Sequence, residues 1–354
     1  MAAKFLTPFF AMYNKDRLEE IQEACDMPYD AQSELLFDML NDAAATEWGK
    51  RYRFSRIYSY EDFRQRLPLQ QYKDICPYVQ RMMAGEGNLL WPGVCKYFVP
   101  AASKDNVSQL LPITRDALME NFFTGIYDST AMYLKSKGED SKLYDSYSLW
   151  IGAHKRDQVY RNLSNILIKE APFPQSLFIR PQVPVNKSNS HSELAVLLEE
   201  AQKYPIGNIQ GRPHRYFDFL KFAEQKTGKT GIKNILPQVE VFFHRGKPTL
   251  EQLQQAPVQD IDYHASFCTA EGFFGMQENL GEASMLLHVD AGVFYEFIPA
   301  DADLKAENVI PLEEVKTNIP YKMIITTRAG LWRYVSEGPA LVFVSTRPYK
   351  FYIK

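Results

Sequence analysis

The chain has 354 residues, of which 45% are apolar and 23% charged, the composition of a globular protein with room for a large core. Its net charge of −3 leaves no basic footprint for nucleic acid, and no run approaches the ~18 apolar residues needed to span a membrane. Aromatic side chains reach 14%, which points to a well-packed interior, with a ring-lined pocket as the functional alternative.

The first twelve residues contain Pro8 and a single lysine, Lys4, and a charged helical stretch follows at once. They read as an arm that packs on the body and not as a signal peptide. Residues 15–48 read as helices, with Leu35, Leu36, Met39, Leu40 and Ala43 on one face. Ser59 caps a helix over 61–67, with Asp62 three residues on, and Pro68 stops it. A further helix over 72–83 is expected to break at Pro77, followed by a turn at Gly85-Glu86-Gly87-Asn88.

Short extended pieces follow at 89–93 and 97–100, then a polar loop over 101–109 and an apolar run at 110–113. Thr114 caps a helix that buries Leu118, Phe122 and Ile126 at fourfold spacing. Residues 135–145 read as a charged loop and 146–151 as a strand. Residues 192–203 and 216–227 read as amphipathic helices around a strand-and-turn signal at 206–213. Strands are expected at 239–244, 284–290, 293–298, 322–327 and 340–345. Helices and strands alternate in the middle and strands dominate late, so the fold class is α/β, with layered mixed β-sheets and flanking helices. Cys25, Cys76, Cys95 and Cys268 show no metal-ligand spacing, which argues against zinc and fits a reducing cytoplasm.

The stretch that stands out is Phe267-Cys268-Thr269-Ala270-Glu271-Gly272-Phe273-Phe274-Gly275. A lone carboxylate in an apolar, aromatic run is costly unless paired, so Glu271 is either a structural hydrogen-bond acceptor or a functional acid.

An ordered set of motifs carries a resemblance. It comprises Tyr58-Ser59-Tyr60-Glu61-Asp62-Phe63, Leu89-Leu90-Trp91-Pro92-Gly93, Leu111-Pro112-Ile113-Thr114, Val241-Phe242-Phe243-His244, Ala270-Glu271-Gly272-Phe273-Phe274-Gly275, Phe294-Tyr295-Glu296-Phe297-Ile298-Pro299 and Ala329-Gly330-Leu331-Trp332-Arg333-Tyr334. In their order and spacing the chain resembles the acyl-acid amido synthetases of the plant auxin-responsive promoter type, the Gretchen Hagen 3 family, and their bacterial homologues. The resemblance covers essentially the whole chain. It implies the large N-terminal domain of an adenylate-forming enzyme over 1–354, with a largely helical entry over 1–100 and a nucleotide- and acid-binding core over 101–354. Lys354 falls where the family enters the hinge to a small C-terminal domain, so that domain is expected to be absent from this chain.

The resemblance also implies activation of a small carboxylic acid by ATP and Mg²⁺ to an acyl-adenylate, which an amino acid then attacks to give an amide. It assigns Glu271 to catalysis and to Mg²⁺, Phe267 to stacking on adenine, and Ala270 and Gly272 to the nucleotide element around it. Ser103, Lys104 and Ser108 would meet phosphate, in a loop where the family has glycine and this chain has none over 101–109. Glu337 stands near the family's ribose-binding Asp, in Val335-Ser336-Glu337-Gly338-Pro339. Arg333 either faces a phosphate or pairs with an acid, and Glu296 reads as a structural carboxylate inside a strand pair. His154, Gly211 and Arg212 match stretches that line the cleft, with structural roles as the alternative. The departures in two nucleotide motifs keep a second reading open: a catalytically inactive homologue acting as a binding or scaffold protein.

Overall fold

A computed structural model describes residues 2–101, 109–138, 141–153, 161–187, 189–245 and 261–354, with side chains from Met12 onward. Ser103, Lys104, Ser108 and His154 lie outside the described residues. The chain forms two compact units, each built from separated segments.

The first unit comprises 1–18, 126–267 and 276–283. Its centre is a parallel sheet in the order Asp262–Cys268, Val241–Arg245, Ile206–Gly211, Tyr147–Trp150, Ile179–Arg180. Parallel strands need crossovers, and helices Leu163–Glu170, Ser190–Lys203 and Pro213–Thr227 supply them. Strands covered on both faces read as continuous apolar runs, and every residue of Val241–Arg245 is buried. One face packs Leu149, Ile209 and Phe242 against Leu197, Phe219 and Ala223 of the crossover helices. The other packs Val241 and Phe243 against Tyr133 and Leu143. Arg215 and Glu193 form a buried ion pair between two of the helices, and Arg215 also donates to the Gly152 carbonyl at 3.1 Å. Gly228 ends its helix at φ +69°, the left-handed cap that glycine favours.

Two histidines lie inside this sheet. His244 and His264 are 2% and 1% exposed, and burial pushes their imidazoles down to about 4 and about 3. Neither ring nitrogen of His264 has a hydrogen-bond partner among the described residues. Both histidines fold neutral and ionise near 6.5 when unfolded. Their contribution is therefore complete above about pH 6.5 and is lost as pH falls toward 4. By pH 5 each is expected to remove roughly 2 kcal/mol of stability. Urea unfolding at pH 7.5 and pH 5 should show the loss, and His264→Phe should remove about half of it.

The second unit comprises 19–125, 268–275 and 284–354. Helices Pro28–Ala43, Glu47–Tyr52, Tyr60–Arg66 and Tyr72–Met83 enter it. The expected face of the first holds, with Leu36, Met39, Leu40 and Ala43 buried. Gln32, one turn earlier, donates to the Val289 and Val293 carbonyls at 2.6 and 2.9 Å and accepts from the Tyr295 amide at 2.8 Å. Ser59 caps as expected, its Oγ accepting from the Asp62 amide at 3.0 Å. Pro77 does not break its helix, which runs unbroken from Tyr72 to Met83. Pro77 and Lys73 are both exposed, so the Lys73 carbonyl that loses its amide partner faces water.

The late strands pair antiparallel. Val293–Pro299 lies between Ile310–Pro311 and Pro320–Thr327, and Leu341–Thr346 pairs with Pro320–Thr327 and Tyr349–Ile353. Leu331–Val335 returns along Pro320–Thr327. Tyr97–Pro100 and Leu110–Ile113 form a separate ribbon. The parallel unit and the antiparallel unit together give the mixed α/β class that the alternation of elements indicates.

The return of Leu331–Val335 turns on Gly330, at φ +84°, where a Cβ would sit 2.6 Å from the Leu90 Cβ. Gly330→Ala combines a left-handed backbone with a clash and should cost about 2 kcal/mol in denaturant unfolding.

Candidate active site

In the second unit, Glu271 sits in a tight turn. The Thr269 amide donates to the Gly272 carbonyl at 2.9 Å, and the Glu271 amide donates to Thr269 Oγ1 at 3.0 Å. Gly272 is needed for space: a Cβ there would lie 3.0 Å from the Phe274 ring and 3.3 Å from Asn121 Oδ1. Asn121 then clamps the strand that follows. Its Oδ1 accepts from the Phe273 amide at 2.7 Å, and its Nδ2 donates to the Phe273 and Ala291 carbonyls at 2.9 and 2.7 Å.

Asn121 lies in a π-helical segment, Leu118–Phe123, between the turn capped by Thr114 and the helix Thr124–Lys137. Leu118, Phe122 and Ile126 are buried as their spacing indicates, but that spacing hides the wider turn. The sequence signal for Asn121 is a lone amide inside an apolar helix face, which helical periodicity alone does not single out.

Glu271 is 3% exposed, and each carboxylate oxygen has a donor. The Ser336 hydroxyl donates to Oε2, and the Glu337 amide donates to Oε1 at 3.0 Å. The Gly338 amide donates to Ser336 Oγ at 3.1 Å, which fixes the hydroxyl. Burial pushes the Glu271 carboxyl up to about 7; the two donors pull it down, and the Glu337 carboxylate pushes it further up. Tyr334 feels both carboxylates, and burial raises its hydroxyl well above the usual tyrosine range. That hydroxyl has no hydrogen-bond partner among the described residues.

The Glu337 side chain is exposed. With the Gln109 amide oriented so that its nitrogen faces Glu337, Gln109 donates to both carboxylate oxygens at 2.9 and 3.1 Å. Gln71, Lys73, Gln109, Lys322, Ser336 and Glu337 line a polar cleft of about 480 Å³. The segment after Tyr334, where the sequence departs from the expected Gly-Asp, thus supplies both donors to Glu271 and a carboxylate at the cleft.

Arg333 is not available to a phosphate. It is fully buried. Its Nε and Nη2 donate to Glu296 Oε2 and Oε1, both at 2.8 Å, and Nη1 donates to the Arg64 and Leu67 carbonyls at 2.9 and 2.7 Å. The structural reading of Glu296 holds, with the Tyr60 hydroxyl also donating to it at 2.9 Å.

In the first unit, Phe267 is 3% exposed in the strand Asp262–Cys268, so its ring is a core side chain here and presents no open stacking face. Gly211 ends the strand Ile206–Gly211, where a Cβ would meet the Ile151 carbonyl oxygen at 3.2 Å. Arg212 is exposed at the helix N-terminus just before Pro213. Ala270 is half-buried in the Glu271 turn.

Comparison with known proteins matches residues 17–230 to the GH3 family N-terminal domain and residues 286–338 to the GH3 family central domain. Among curated relatives, the indole-3-acetic acid-amido synthetase GH3.4 of Arabidopsis thaliana is 21% identical over 90% of this chain. Its counterpart GH3.6 from the same plant is 20% identical over 91%. This chain spans 65% and 66% of their lengths. Among solved structures, AtGH3.15 acyl acid amido synthetase in complex with 2,4-DB superposes with a TM-score of 0.73 at 16% identity, covering 94% of this chain and 70% of that one. A 2-hydroxyisobutyryl-CoA ligase in complex with 2-HIB-AMP and CoA superposes at 0.58 and 12% identity, covering 93% and 67%. The fold is therefore shared with adenylate-forming enzymes. The family domain covers well over half of the sequence, and the chain belongs to the GH3 family.

Proposed function

We propose that this chain carries the activating chemistry of an acyl-acid amido synthetase: ATP-dependent conversion of a small carboxylic acid to an acyl-adenylate, which an amino acid then takes to an amide. The observation that carries the reading is Glu271, buried, held at both oxygens and tuned to about 7 beside the exposed Glu337. Such tuning of a buried carboxyl whose two donor residues line a polar cleft is a mark of a functional site.

The donor set fits Mg²⁺. Each Glu271 oxygen has one protein donor and keeps a further lone-pair direction, and a cation beside Glu271 and Glu337 would relieve their mutual repulsion. Among the described residues no group of three or more His, Cys, Asp or Glu side chains could hold a metal. A site of one or two carboxylates completed by substrate phosphates is the usual arrangement for Mg²⁺. When bound, the ion would supply charge neutralisation at the transferring adenylyl group and the departing pyrophosphate. Ser336 and the Glu337 amide orient the Glu271 carboxylate, and Gln109 orients that of Glu337. Lys73 and Lys322 add positive charge to the cleft. Ser103, Lys104 and Ser108 are assigned to phosphate on the family pattern alone. Catalysis on this reading is positioning and electrostatic stabilisation. Four cysteines outside any disulfide, Cys25, Cys76, Cys95 and Cys268, suit a reducing compartment such as the cytoplasm.

The test is acid-dependent exchange of labelled pyrophosphate into ATP with Mg²⁺ over a panel of small acids, which reads the first half-reaction alone. Exchange with any acid supports the reading. No exchange, together with an unfolding midpoint unmoved by millimolar MgATP, would overturn it and leave a binding or scaffold role. A nucleotide at about a hundred times its dissociation constant should raise stability by roughly 2.7 kcal/mol.

A further inference from the structure

The first unit holds a cavity of about 140 Å³ that the reading above does not use. Its walls include the rings of Tyr13, Tyr127, Tyr144, Trp150 and Phe178. An apolar cavity of about 150 Å³ accepts a guest the size of benzene. Strand register explains the floor. Ser148 pairs with Asn208 and Trp150 with Gln210 on adjacent parallel strands, so all four point to the same side.

Most polar groups of the wall are spent on one another. Asn14 Nδ2 donates to the Tyr144 hydroxyl at 2.7 Å, Trp150 Nε1 donates to Ser148 Oγ at 2.8 Å, and Ser148 donates to Asn208 Oδ1 at 2.5 Å. Among the described residues no Asp, Glu, Lys or Arg lines the cavity, which suits an uncharged guest. Gln175 supplies an acceptor that none of these bonds uses. Gln175 Oε1 is buried and accepts no hydrogen bond from any described residue. A buried acceptor without a donor is a standing penalty that a matching guest removes. Water meets the need poorly, because an ordered water wants two to four polar partners and the surface facing the cavity is mainly apolar.

We propose that this cavity binds a planar aromatic ring carrying a hydrogen-bond donor, a phenolic hydroxyl being the simplest case, with Gln175 Oε1 accepting from it. Ring faces pack on the surrounding tyrosines and Trp150, and the hydroxyl sets the orientation. The inference stands on the cavity alone and does not depend on ligase activity, so its test needs no ATP.

Binding of p-cresol and of toluene to the whole chain is measured by calorimetry and by Trp fluorescence. The two probes share size and shape and differ in the donor. At least a tenfold preference for p-cresol is expected, and Gln175→Leu should bring the two affinities together by weakening p-cresol. Thr130→Phe, which fills the cavity from the helix side, should abolish both while keeping the thermal midpoint, and it keeps the proposal testable if Gln175→Leu does not fold. Equal affinities in the unaltered chain, no p-cresol binding, a preference that survives Gln175→Leu, or p-cresol binding unchanged in Thr130→Phe would each overturn it.

Discussion

Replacing Arg333 by methionine is expected to cost about 3–5 kcal/mol in denaturant unfolding, the usual result of leaving one member of a buried ion pair alone. Glu296 is 1% exposed and would keep only the Tyr60 hydroxyl, and the Arg64 and Leu67 carbonyls would lose their donor. Arg333 sits at φ +46°, and methionine would inherit that backbone, so the loss reports the charge and not a change of strain. The double variant Arg333→Met, Glu296→Leu should recover much of the stability, because removing both charges leaves none uncompensated. The same residue steadies the site. Its carbonyl accepts from the Gln70 amide at 3.0 Å, and the Gln70 carbonyl accepts from the Val335 amide at 2.8 Å, one residue before Ser336. A loss below about 1 kcal/mol in the single variant would show that Glu296 reaches water when Arg333 is gone.

Glu271→Gln is expected to separate stability from activity. A glutamate whose folded pKa is raised from about 4.5 to about 7 contributes fully below 4.5 and progressively opposes folding as pH rises through 7. At pH 8 the ionised side chain is a burden, and the neutral amide should raise stability by about 2 kcal/mol. The amide fits: its oxygen can accept from the Glu337 amide, and the Ser336 hydroxyl can rotate to accept from its nitrogen. Pyrophosphate exchange should fall about 10²–10³-fold, the scale of losing one preorganised electrostatic group. Stability gained while function is lost marks a strained functional carboxylate. If Glu271→Gln were instead less stable at pH 8 and equally active, Glu271 would be a structural anion.

Local chemistry was the most legible part of the sequence. Ser59 and Thr114 announce their helices because a cap is satisfied within three residues, as the bonds to the Asp62 and Ala117 amides confirm. The apolar runs at Val241–Arg245 and Val293–Pro299 read as strands because their burial leaves little room for polar residues. Leu331–Val335 was not read as a strand, since a charged Arg333 at its centre is tolerated only by Glu296, 37 residues earlier in the chain. Glu271 was conspicuous as a carboxylate in the wrong company, but its partners were not. Ser336 and Glu337 looked like erosion of a motif, and only the backbone path shows the hydroxyl and the amide turned onto Glu271. The π-helical segment around Asn121 left no periodic trace, because one widened turn still leaves Leu118, Phe122 and Ile126 on the buried side.

The way each unit gathers its segments has a consequence for the order in which the protein forms as it is synthesised. Most of the first unit is one continuous stretch, 126–267, and its parallel sheet can pair once that stretch has emerged. The second unit draws on 19–125, 268–275 and 284–354, so its early helices wait for partners hundreds of residues downstream. Gln70 has nothing to bridge until Tyr334 arrives, and Glu271 stays a solvated carboxylate until Ser336 and Glu337 reach it. The buried charge at the heart of the site is therefore created by the last stretch of the second unit to be made, which places the chemically costly step at the end of assembly.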